Sequence, residues 1–199
     1  MQLQDVHYKG PPIDDPDILR VIPKSLASLL TGVNGYTQFS GAFHLRGACL
    51  EPAWHSLRAA WMGDHSFARL YPGLSPRWVP FAEDCMGDQF LMTEKGIARL
   101  DAETGEVFEE AESLAVFLEE VNEDPIPTLA LEEFEAFRAG GGVLAPGKLL
   151  QAYPPMWTAE SASGVTLTPI PAADLHHTHA ALAKSIRDNG GKGAIRYQD

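Results

Sequence analysis

The sequence predicts a mixed α+β fold with an antiparallel sheet. Two observations carry that expectation. Four short segments, Arg77 to Phe81, Asp88 to Thr93, Gly96 to Asp101 and Gly105 to Phe108, follow one another with only short turn-forming links. Links of that length join antiparallel neighbours, because parallel pairing needs a long crossover. Helix-period apolar stripes flank the run on both sides.

The elements follow in order. Gly10-Pro11-Pro12 and Asp14-Asp15-Pro16 make residues 1–20 an arm without regular structure. Pro23 opens a helix with Leu26, Leu29, Leu30 and Val33 on one face, stopped at Asn34-Gly35. Phe43 to Arg46 alternates as a short strand. Pro52 opens a second helix bearing Trp54, Leu57, Arg58 and Trp61, ended at Gly63. After the strand run, Ser113 caps a helix whose Leu114, Phe117, Leu118 and Val121 share a face. Pro125-Ile126-Pro127 ends it, and Thr128 caps an acidic helix reaching Arg138. Gly140-Gly141-Gly142 follows as a hinge. Beyond it the sequence predicts little regular structure except a strand at Val165 to Leu167 and a final helix from Ala172 to Asp188. Leu149, Leu150, Trp157, Leu167, Leu182 and Ile186 need cover that so little structure cannot provide alone. Residues 125–199 are therefore expected to pack, as a C-terminal extension, on a core spanning 21–124.

Charge is the strongest compositional signal. The net charge is −12, and thirteen of the 27 acidic residues fall within 101–135, where there is no Lys or Arg. The rest of the chain nets +1, from 15 basic and 14 acidic residues. Such a field repels nucleic acid and anionic lipid and attracts basic partners. A solvated helix surface and an interface both fit this stretch. The candidate interface residues are Glu106, Glu109, Glu110, Glu112, Glu119 and Glu123. No apolar run reaches the roughly 20 residues of a membrane span. The N-terminus lacks a signal peptide's basic start and apolar centre. A cytoplasmic protein with two reduced thiols, Cys49 and Cys85, is the resulting expectation.

Motifs for catalysis or metal binding are weak. Glu83, Asp84 and Asp88 surround Gly87 without the alternating ladder of a calcium loop. His176 and His179 share a helix face from which His177 points away, which suggests one partly buried histidine and two in solvent. Cys85 has no nucleophile signature around it. Phosphate-cradling glycine motifs, zinc-protease motifs and the nucleophile elbow do not occur. The four tryptophans fit a core or groove better than a nucleic-acid platform, given the charge. No catalytic residue, metal or cofactor is expected.

The stretch Val79-Pro80-Phe81-Ala82-Glu83-Asp84-Cys85-Met86-Gly87-Asp88-Gln89-Phe90-Leu91 resembles the signature of the SUKH superfamily. That superfamily contains bacterial toxin-immunity proteins and a fungal cell-wall assembly regulator. The Glu103-Thr104-Gly105-Glu106-Val107 hairpin and the Ser113-Leu114 to Phe117-Leu118 helix follow in matching order. Ile22-Pro23-Lys24-Ser25-Leu26 and Asn34-Gly35 are similar to the family's opening helix and its end. The resemblance covers roughly residues 20–123 and leaves the last 75 unassigned. It implies a twisted antiparallel sheet flanked by helices, no cofactor, and a surface suited to each toxin. Gly87 would supply the turn, and Asp88 would satisfy backbone N–H groups there. The function it implies is stoichiometric neutralisation of a cognate toxin with a basic surface, such as a nuclease. A scaffold or regulatory adaptor is the alternative.

Overall fold

A seven-stranded antiparallel sheet, ordered as the chain runs, forms the centre of the computed structural model, which describes residues 3–190. Its strands are β1 (Tyr8–Lys9), β2 (Tyr36–Gln38), β3 (Phe43–Leu45), β4 (Val79–Asp84), β5 (Gln89–Met92), β6 (Ile97–Leu100) and β7 (Val107–Ala111). Every neighbouring pair is antiparallel, so the short links between β4 and β7 act as expected. Gly87 makes its turn at φ +95°, a conformation that glycine adopts without steric cost.

Alternation along the strands gives the sheet two different faces. Phe43, Leu45, Ala82 and Phe90 share one face, in register across β3, β4 and β5. They meet α2 (Lys24–Gly32), α5 (Leu114–Glu123) and α7 (Leu131–Ala139) through Leu26, Leu30, Phe117, Val121 and Phe134. Phe117 is the hub: its ring lies 4.7 Å from Phe90 and 5.6 Å from Phe81, tilted or edge-on as aromatic quadrupoles prefer. Ser113 starts α5 as expected, its Oγ accepting from the Val116 N–H. The opposite face carries Leu91 and Leu100, covered by Phe67 of α4 (Phe67–Leu70) and by Ala180 and Ala183 of α8 (Ala172–Asp188).

The structure departs from the sequence reading in four places. Residues 1–20 hold an edge strand, β1, and a one-turn helix, α1 (Ile18–Val21), and Asp15 is buried in an ion pair with Arg58 at 2.6 Å. The helix expected from Pro52 starts later, as α3 (Leu57–Met62), because Ser56 caps it by accepting from the Ala59 N–H. Between Asp124 and α7 a further turn, α6 (Pro125–Thr128), intervenes, so α7 begins at Leu131 and not at Thr128. The extension is also more regular than expected: β8 (Lys148–Tyr153) pairs antiparallel with β9 (Thr166–Pro171). Leu129, Leu131, Phe134, Leu144 and Leu150 all join the main core.

Candidate functional site

Two polar assemblies are built on this frame, one sealed inside and one open. The sealed one starts from cross-strand register. His44 of β3 and Gln89 of β5 both stand opposite Glu83 of β4, so all three project from the same face. Glu83 is 1% exposed and is surrounded by donors. Its Oε1 lies 2.8 Å from His44 Nδ1, and its Oε2 accepts from Arg46 at 2.7 Å and Gln89 Nε2 at 3.0 Å. His176 of α8 reaches the same oxygen through Nε2 at 2.8 Å. A string of rings continues outward, with His44 Nε2 2.8 Å from His55 Nδ1 and His55 Nε2 3.1 Å from the Asn34 carbonyl. Burial alone would raise the Glu83 pKa, but Arg46 and the two histidines hold it well below the usual carboxylate range. Burial and the neighbouring His44 push His55 down to about 3.

This cluster corrects the reading of the C-terminal histidines. His179 is buried, as the helix face suggested, and burial pushes it down to about 4. His176 is not a solvent residue: it ties α8 to the sheet. Among the described residues, no group of three or more His, Cys, Asp or Glu side chains is placed to hold a metal ion. Cys49 and Cys85 are buried free thiols, and burial pushes Cys85 well above the ordinary thiol range.

The open assembly is a groove of about 910 Å³ at the end of the sheet that carries the β6–β7 hairpin. Among the described residues eight carboxyl side chains line it: Asp84, Asp88, Asp101, Glu103, Glu106, Glu109, Glu110 and Glu133. Among the described residues lining it, Arg99 is the one cation. It lies over the Phe108 ring at 6.0 Å and 3.7 Å from Glu110. Leu129, Met86, Met156, Trp157 and Ile186 add apolar surface.

Two carboxyls at the inner end are held by the backbone. Asp84 Oδ1 accepts from the N–H groups of Met86 at 2.9 Å and Asp88 at 3.0 Å. Asp88 Oδ1 instead accepts from Ala102 N–H at 2.9 Å. The turn-satisfying role expected of Asp88 therefore falls to Asp84, because Asp88 is aimed across the hairpin. Burial raises the Asp84 pKa to about 7. Burial, then the carboxylates of Asp84 and Asp101, raises Asp88 well above the usual range. Glu103 fastens the far wall, accepting from the N–H groups of Met156 at 3.1 Å and Trp157 at 2.9 Å.

Of the six candidate interface residues, Glu106, Glu109 and Glu110 line the groove. Glu112, Glu119 and Glu123 are exposed beside or on α5, outside it. Sequence reasoning did not find Asp84, Asp88, Asp101, Glu103 and Glu133 as groove residues. Asp84 and Asp88 flank the β4–β5 turn, Asp101 and Glu103 follow β6 and Glu133 comes from α7, and the acidic window held only the last three.

Comparison with known proteins adds the fold alone. No family model and no curated protein matches the chain. The crystal structure of Atu4351 from Agrobacterium tumefaciens is similar, with a TM-score of 0.56 at 15% sequence identity, covering 88% of this chain and 85% of that one. The shared fold therefore includes most of the C-terminal extension.

Proposed function

We propose that this chain is a non-catalytic immunity protein that binds a basic protein toxin in the acidic groove and neutralises it stoichiometrically. The observation that carries the reading is the groove itself: among the described residues, eight carboxyl side chains and a single guanidinium surround a cavity large enough for a protein segment. Burial favours the protonated forms of Asp84 and Asp88, but gathering the remaining carboxylates still costs self-repulsion, which a cationic partner relieves. The lining also holds Phe108, Met156 and Trp157, so carboxylates surround apolar anchors. That arrangement matches interfaces in which charge steers association and buried anchors slow dissociation. The resemblance of residues 20–123 to toxin-immunity proteins of the SUKH superfamily points the same way. Among the described residues no helix is long and apolar enough to cross a membrane, and the setting proposed is the cytoplasm.

The test is neutralisation. A toxin recovered on this chain from its native host is expressed in a laboratory bacterium, where it arrests growth. Co-expression of the chain restores growth, and the triple reversal E106K/E109K/E133K abolishes the rescue while leaving the protein folded. If no recovered protein is toxic, or if the reversed groove rescues equally well, the reading is wrong.

A further inference from the structure

The groove is bordered by an open strand edge. β7 ends the sheet, pairing with β6 on one side only. The Asp101 N–H donates to the Glu106 carbonyl at 2.9 Å, which makes residues 101 and 106 a hydrogen-bonded pair. Register places Leu100 opposite Val107, Arg99 opposite Phe108 and Ala98 opposite Glu109. By the alternation of an antiparallel ladder, Phe108 bonds inward to β6, and the N–H and C=O groups of Val107 and Glu109 point outward. Among the described residues no backbone partner meets them there. Val107, Phe108 and Glu109 are exposed.

The groove lies along this edge and not over one face of the strand. Successive strand side chains point to opposite faces. Phe108 and Glu109, in regular register with Arg99 and Ala98, point to opposite faces and both line the cavity, which therefore reaches both sides of β7, while Glu110 follows at a register shift. Exposed edges invite pairing, and proteins guard them with charge. The guard on β7 itself is Glu109 and Glu110, with Lys95 3.8 Å from the first and Arg99 3.7 Å from the second, and carboxylates outnumber cations around it. Two copies of β7 laid side by side would bring Glu109 and Glu110 against like charges, whereas a strand rich in Lys or Arg would relieve them.

We propose that an extended, basic segment of the partner protein adds to β7 as an eighth strand, with its Lys or Arg side chains at alternate positions entering the groove. Backbone bonds to Val107 and Glu109 would set its register, and the carboxylates would select its charge. This rests on the groove being the docking site.

The probe is an acetylated and amidated ten-residue peptide of alternating Lys and Thr, titrated into the full chain, with a control N-methylated at every second residue. The parent peptide is expected to slow exchange of the Val107 and Glu109 amides about tenfold at saturation and to leave Phe108, already bonded, unchanged. The control should bind about tenfold more weakly, because it cannot complete the ladder. Equal affinity of the two peptides, or no protection in β7, would overturn strand addition and reduce the groove to a charge contact. Protection of the same amides in the free chain, accompanied by dimerisation, would overturn it by making the occupant a second copy. Protection lost on deleting residues 191–199 would assign the edge to the chain's own terminus and overturn it too. Peptide protection combined with failure to rescue cells from any toxin would uphold the strand edge and refute only the immunity reading.

Discussion

Replacing Glu83 by Gln tests what holds the two faces of the molecule together. The amide is nearly isosteric, and its oxygen can still accept from Arg46, Gln89 and His176, while its NH₂ group can face His44 Nδ1. What disappears is the negative charge beside a guanidinium that is 1% exposed. Leaving such a charge unpaired costs about 3–5 kcal/mol. Since the hydrogen bonds survive, the lower end, about 3 kcal/mol, is expected. For a chain of this size that corresponds to a melting temperature lower by about 6–12 °C. Urea denaturation followed by circular dichroism reads the free energy directly. The double variant E83Q/R46M removes both charges and should cost well below the sum of its single changes, because the penalty in each lies in the partner left behind. The pH dependence has a defined sign. Glu83 is held below its ordinary pKa of 4.5, so its contribution is present above that pH and is lost as pH falls through the lower folded value. The difference between wild type and E83Q should shrink in that acid window. A loss below about 1 kcal/mol at pH 7, or strict additivity in the double variant, would refute this account of the buried charge.

Three further outcomes follow from the same geometry. His176→Ala removes the contact between α8 and Glu83 and should cost about 1–2 kcal/mol, with faster amide exchange in residues 172–188 and none in α5. Asp84→Asn keeps an acceptor for the Met86 and Asp88 N–H groups but cannot ionise. The native Asp84 keeps its proton up to about pH 7, whereas the unfolded chain releases it near 3.8, so wild-type stability falls as pH rises between them. In D84N that falling limb should be shallower and stability at pH 8 higher by on the order of 4 kcal/mol, as urea titrations across pH would show. A chain ending at Asp124 loses Leu129, Leu131, Phe134, Leu144 and Leu150 from the core and should melt without a cooperative transition in calorimetry.

The strand run from Val79 to Ala111 was legible because glycine turns and short links restrict it to an antiparallel meander. The helices α2, α5 and α8 were legible from their apolar stripes and stops. β1 and β2 were not, since strands of two and three residues carry no usable periodicity. β8 lay hidden in Lys148–Tyr153, where its partner is thirteen or more residues away and no turn marks the pairing. The carboxylates of the β6–β7 hairpin were visible as a charge window. Asp84 and Asp88 were visible only as a turn, because their approach to Asp101 depends on register across three strands. The Glu83 cluster was out of reach for the same reason: its donors come from positions 44, 46, 89 and 176, and nothing local links them.

The extension is a wall of the candidate site and not an appendage to it. The sheet supplies the carboxylates of β4, β7 and the turns beside β5 and β6, but Leu129, Glu133, Met156, Trp157 and Ile186, all beyond Asp124, close the other side. Three ties hold that wall in place. Glu103 accepts from the Met156 and Trp157 amides, His176 reaches Glu83, and the Leu150 N–H donates to the Cys85 carbonyl at 2.8 Å. Two of those ties land on Glu83 and Cys85, on either side of Asp84, whose carboxyl sits at the inner end of the groove. The buried cluster and the open groove therefore share a single stretch of backbone, residues 83–88. A change that loosens Glu83 should widen the groove as well as lower stability, which couples the sealed assembly to whatever the open one binds.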